Sequence, residues 1–112
     1  MTEADWEKFI KIKQKALDTY CRQVLDKVNE LTADEAKTTH ERYLQLSQYI
    51  HKADKGLTNI FDDHSRRNAS TQLLLIRARD LADEALLAEL SEPFLAESDP
   101  EFYRHFYASD SE

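Results

Sequence analysis

The sequence predicts an all-α fold: an antiparallel hairpin of two long helices, closed by a third helix and a short fourth, in a small helical bundle. Three observations predict it. The 112 residues contain one glycine and two prolines, and tight strand hairpins need more turn residues than that. Ala, Leu, Glu, Lys, Gln and Arg, the strong helix formers, are abundant. Apolar residues recur three and four apart, the period of one helix face.

The first helix starts near Thr2, which forms a capping-box pattern with Asp5 (Thr-x-x-Asp). Its apolar stripe is Trp6, Phe9, Ile10, Leu17, Tyr20, Cys21, Val24, Val28 and Leu31, with a polar gap at Lys13 and Gln14. Neither Gly nor Pro marks its end. Continuing the stripe would put Glu35, Thr38, Arg42 and Gln45 in the apolar seam. The seam restarts instead at Ala36, Thr39, Tyr43, Leu46 and Ile50, one residue out of register, so the chain doubles back near Thr32. The pattern Thr32-Ala33-Asp34-Glu35 reads as a second capping box there, with Leu31 placed to staple onto Ala36. Short connections make antiparallel neighbours.

The second helix carries a coiled-coil-like heptad seam at Tyr43, Leu46, Ile50, Ala53, Leu57 and Ile60. The seam persists on both sides of Gly56, so the helix continues through it. The residue missing a side chain there leaves room for close approach of another helix. The next turn is Phe61 to Ser65, where Asp62, Asp63 or Ser65 caps a third helix from about Arg66 to Asp80. Within it, Leu73 to Ile76 is apolar all round and marks the most buried point. A short fourth helix follows over Asp83 to Leu90 and stops at Ser91, before Pro93. The chain divides into a bundle domain, residues 1–95, and an acidic, aromatic, partly ordered segment, residues 96–112. Asp99-Pro100-Glu101 would start a last helical turn.

Composition limits function. The net charge is -7, which argues against nucleic-acid binding, because that binding is driven by counterion release at Lys and Arg contacts. The longest Leu/Ile/Val run is Leu73 to Ile76, whereas a membrane helix needs about 20 apolar residues. The start, MTEADWEKF, lacks the apolar stretch of a signal peptide, and a lone cysteine, Cys21, fits a reducing compartment. A cytoplasmic location follows. With one glycine, no phosphate-cradling glycine-rich loop and no Gly-x-Ser-x-Gly elbow can be built. Cys21 falls on the apolar stripe, where cysteine behaves as a small hydrophobe. No enzyme activity and no cofactor are expected.

Four features remain as candidate sites. Arg66, Arg67, Arg77 and Arg79 make the one basic concentration, +3 over residues 66–81, followed by -8 over residues 82–112. Arg66 and Arg67, at a helix start, would hold an anion or an acidic partner, or nucleic acid as an alternative. Phe102, Tyr103, Phe106 and Tyr107, interleaved with acids, suit a segment that docks on a basic surface. His51, Asp54, Asp63 and His64 are the alternative metal set, although no Glu-x-x-His motif of a di-iron bundle occurs. An uncovered second-helix seam would favour a homodimer. The expectation is a helical protein-interaction or regulatory module with a protein partner.

Overall fold

The computed structural model describes residues 1–101. The expected aromatic tail positions Phe102, Tyr103, Phe106 and Tyr107 lie outside the described residues. Among the described residues the regular structure is helical throughout: α1 (Glu3–Ala33), α2 (Thr39–Phe61), a 3-10 turn (Arg66–Asn68), α3 (Ala69–Ala78), α4 (Glu84–Leu87) and α5 (Glu92–Glu97). The all-α hairpin with a third and a short fourth helix is therefore the observed architecture, with one helix more than expected.

Helix α1 begins at the expected box. The Asp5 amide donates to Thr2 Oγ1 at 3.0 Å and the Thr2 amide to Asp5 Oδ2 at 3.3 Å. The chain reverses where the register slip predicts, but the cap is elsewhere. Thr32 spends its hydroxyl inside α1, donating to the Val28 carbonyl at 3.0 Å, so it cannot cap a new helix. Asp34 makes the turn by accepting from the Ala36 amide. Thr38 and Glu41 form the box that opens α2, the Glu41 amide donating to Thr38 Oγ1 at 3.1 Å. Arg42 then reaches back and donates to the Thr32 carbonyl, locking the two helices antiparallel.

Gly56 lies inside α2, as expected. Tyr20 of α1 lies across it and donates from its hydroxyl to the Ala53 carbonyl at 2.7 Å. A β-carbon on residue 56 would stand 2.5 Å from that hydroxyl oxygen. The glycine is the space into which the tyrosine fits.

The third helix starts later than its sequence signals. Asp63 accepts from the Ser65 amide and from the Asn68 side chain, shaping a 3-10 turn before α3 begins at Ala69. Helix α3 ends with Asp80 in the left-handed region (φ 55°), and the Leu81 amide donates to the Ile76 carbonyl, the Schellman pattern. Asp83 caps α4. Pro93 does not end the fourth element; it opens a fifth. Ser91 is the N-cap of α5 and Pro93 occupies its first turn, where a missing N–H costs nothing. Helix α5 crosses residue 95, and Ser98 just beyond it is fully buried. Pro100 and Glu101 are helical, in line with the expected start there.

The core gathers Phe9, Ile12, Ala16 and Tyr20 of α1, Ile60 and Phe61 of α2, Leu73 and Ile76 of α3, and Leu81, Leu90 and Phe94. Phe9 meets Phe94 edge-on at 6.1 Å, and Tyr20 meets Phe61 likewise at 5.9 Å. The buried polar groups bind elements together. Gln72 donates to the Ile60 carbonyl at the end of α2. Arg77 donates to the Leu95 carbonyl and to Ser98 Oγ, joining α3 to α5. Asp5 accepts from both the amide and the hydroxyl of Ser91, joining α1 to α5.

The first-helix stripe is corrected in part. Ile10, Leu17 and Cys21, expected in the core, are exposed, whereas Ile12 and Ala16 are fully buried. Helix α1 carries two apolar faces, and a single stripe drawn through both misplaces each. In the second-helix seam only Ile60 is buried; Tyr43 is 65% exposed. Between Tyr20 and Ile60 no residue is buried at all. The molecule measures 52 × 38 × 23 Å. It consists of a packed base and a two-helix arm made of the second half of α1 and the first two thirds of α2.

Candidate functional site

The second apolar face of α1 defines the site. Ile10, Leu17, Cys21 and Leu25 follow one another along the helix at spacings of seven and four residues, all exposed, with Leu25 62% open. Facing them across a groove stand Phe61, Leu57 and Ala53 of α2. Among the described residues none after His64 lines this groove, because α3, α4 and α5 pack on other sides of the hairpin.

Two hollows deepen the groove. The upper one, about 200 Å³, lies between Cys21, Val24 and Leu25 of α1 and Ala53, Asp54 and Leu57 of α2. The lower one, about 290 Å³, is walled by Trp6, Phe9, Ile10, Leu17 and Phe61, with Lys13, Gln14 and His64 also lining it. Lys13 Nζ donates to the Asp63 carbonyl at 2.6 Å and lies 2.9 Å from His64 Nδ1. Burial depresses the Lys13 ammonium below its ordinary value, against the pull of the Asp63 and Asp62 carboxylates. The polar gap in the stripe is thus a cation set into an otherwise apolar hollow.

The residues singled out from the sequence are distributed differently. Arg66 holds Glu3 in a two-pronged ion pair, its Nη2 donating at 2.8 Å, and stacks 5.0 Å from the Trp6 ring. Each partner's charge favours the other: Glu3 is lowered and Arg66 raised, chiefly by their mutual hydrogen bond. Arg67 is exposed, and Arg77 serves the α3–α5 joint. Arg66 is therefore neutralised by the first turn of α1.

His51 and Asp54 lie exposed on α2, about two turns before the Asp63–His64 turn. The Asp63 carboxylate is held below its usual range by the Ser65 amide first, then by Asn68. Among the described residues no three His, Cys, Asp or Glu side chains come together as a metal would require. Nor, among the described residues, is any helix long and apolar enough to cross a membrane.

The sequence carried a signal for the groove that the stripe obscured. Asp5, Phe9, Ile12, Ala16 and Tyr20 keep helical spacing by themselves, and so do Trp6, Ile10, Leu17, Cys21 and Leu25. Two interleaved sets on one helix mean two faces. Comparison with family models, with curated proteins and with solved structures yields no match to this chain.

Proposed function

We propose that this chain is a non-catalytic helical interaction module, acting in the cytoplasm, that docks an amphipathic helix of a protein partner along the open α1–α2 groove. One observation carries the reading: an apolar stripe from Ile10 to Leu25, about 22 Å of helix, left uncovered by the described residues although the base has a core of its own. Continuous apolar surface of this kind marks interaction sites on soluble proteins. A helix is the occupant that fits, because anchors spaced four and seven apart interdigitate with the same spacing on a partner helix. The exposed Tyr43 on the arm extends the surface with the aromatic character common in binding hot spots.

The test places a photo-crosslinking amino acid at Leu17 in the groove and, as control, at Asn29, also exposed. Crosslinks made in the native cell are mapped by mass spectrometry. The reading expects a single partner, joined through a helical segment at Leu17, absent at Asn29 and lost on Leu25→Glu. Crosslinks to a second copy of this chain, with a light-scattering mass of two chains, would replace the partner by a homodimer. Equal, diffuse labelling at both positions would overturn the docking role.

A further inference from the structure

The lower hollow has a chemistry that a helix-docking groove does not require. Its walls are Trp6, Phe9, Ile10, Leu17 and Phe61, and the cation set among them is Lys13. An ammonium has three donors. Lys13 directs one at the Asp63 carbonyl and one at His64 Nδ1, both uncharged acceptors. Among the described residues Lys13 forms no ion pair. Arg66 is paired with Glu3, and the Asp63 carboxylate accepts from the Ser65 amide and Asn68, while the Asp62 and Asp63 carboxylates act on the Lys13 charge without an ion-pair contact. The result is an apolar chamber with an ammonium in its wall whose third donor meets no acceptor among the described residues.

We propose that this hollow binds a small amphipathic monocarboxylate, its apolar tail between Trp6, Leu17 and Phe61 and its carboxylate on Lys13. At roughly 30 Å³ for a water in the liquid, the 290 Å³ hollow is about ten water volumes, the scale of a medium-chain fatty acid or an arylpropionic acid. The carboxylate takes the third donor of Lys13, and the tail covers apolar wall now facing water. This inference does not rest on the docking reading, although the hollow shares Ile10 and Leu17 with the lower end of that groove; Lys13→Met in the hollow and Leu25→Glu on the arm separate the two.

Trp6 is the only tryptophan of the chain and forms part of the wall, so its fluorescence reports occupancy directly. Octanoate, kept below its micelle concentration, is titrated into the full chain beside 1-octanol, which has the same tail without the charge. Octanoate is expected to give a saturable change and to bind more tightly than 1-octanol. Lys13→Met, which keeps the stem and removes the charge, is expected to weaken octanoate about tenfold or more and leave 1-octanol unchanged. Leu17→Gln, at an exposed wall position, weakens both. Leu25→Glu, on the arm, leaves both intact. No saturable change with octanoate, equal binding of octanoate and 1-octanol, or unaltered octanoate binding in Lys13→Met would each overturn the proposal. So would a peptide of residues 101–112 that shifts Trp6 fluorescence where octanoate does not.

Discussion

The base and the arm are built from the same two helices with opposite economies of contact. In the base, α1 and α2 are covered by α3 and the C-terminal helices, and Phe9, Ile12, Ala16, Ile60, Leu73, Ile76 and Phe94 are sealed from water. Polar ties from the C-terminal segment reach α1 at Asp5, Lys8 and Lys15, to Ser91, the Glu89 carbonyl and Asp83. Among the described residues each arm helix has only the other, and Val24, Val28, Leu46 and Ile50 are half-covered at best. Two helices alone bury one stripe each, and helical stability comes mainly from such burial. The difference teaches that stability resides at one end of this molecule and available surface at the other.

Substitutions sharpen that contrast, and the largest effect belongs to the base. Phe94→Ala removes a fully buried ring from the layer with Phe9, and about 3–5 kcal/mol of stability is expected to go with it. Leu25→Ala on the arm is expected to stay within about 0.5 kcal/mol, because its side chain is already in water. Urea denaturation of the two variants measures the ratio.

The joint between α1 and α5 comes next. Burial pushes the Asp5 carboxyl up, but the Ser91 hydroxyl and amide, with Thr2, outweigh it and hold the folded value below the ordinary one. A carboxyl depressed on folding stabilises the fold above its unfolded value, and that stabilisation fades as the pH falls through the folded value. Asp5→Asn turns an N–H donor toward the Thr2 and Ser91 donors. It is expected to cost about 1–3 kcal/mol at neutral pH. The gap to the wild type should narrow as the pH is lowered past the ordinary aspartate value of 3.8. Thermal melts from pH 7 to pH 3 follow it.

Gly56 marks the border between the regions. Gly→Ala in an open helix gains about 1 kcal/mol, but here the new methyl collides with the Tyr20 hydroxyl, and overpacking costs about 1–3 kcal/mol. Gly56→Ala is expected to destabilise, and the same change in a Tyr20→Phe chain to be neutral or favourable. A double-mutant cycle reads the reversal. A small gain is expected at Asp80, whose left-handed backbone favours glycine. Asp80→Gly should add at most about 1 kcal/mol to the melting stability.

What the sequence disclosed follows the same border. The hairpin, the Thr2 cap and the continuity through Gly56 rest on local rules, spacing and capping, and were legible. The turn at Thr38 was displaced because two Thr-led boxes compete within seven residues, and only the back-bonded hydroxyl of Thr32 decides between them. Pro93 was taken as a stop because a helix end and a helix start share the same proline; Ser91, tied to Asp5 across the fold, selects the start. The groove was half legible. Its residues stood in the expected stripe, but which face of α1 is buried depends on where α3 and α5 pack, a nonlocal fact. Lys13 emerges as a site residue only once Asp63 and His64 are folded beside it.

Native-state hydrogen exchange tests the division between base and arm most directly, because it reads local opening residue by residue. Amides of residues 9–20 and 69–76 are expected to exchange only through global unfolding. Those of residues 24–33 and 42–52 are expected to exchange through a separate, much cheaper opening. Equal protection along the whole of α1, from Phe9 to Ala33, would contradict the account.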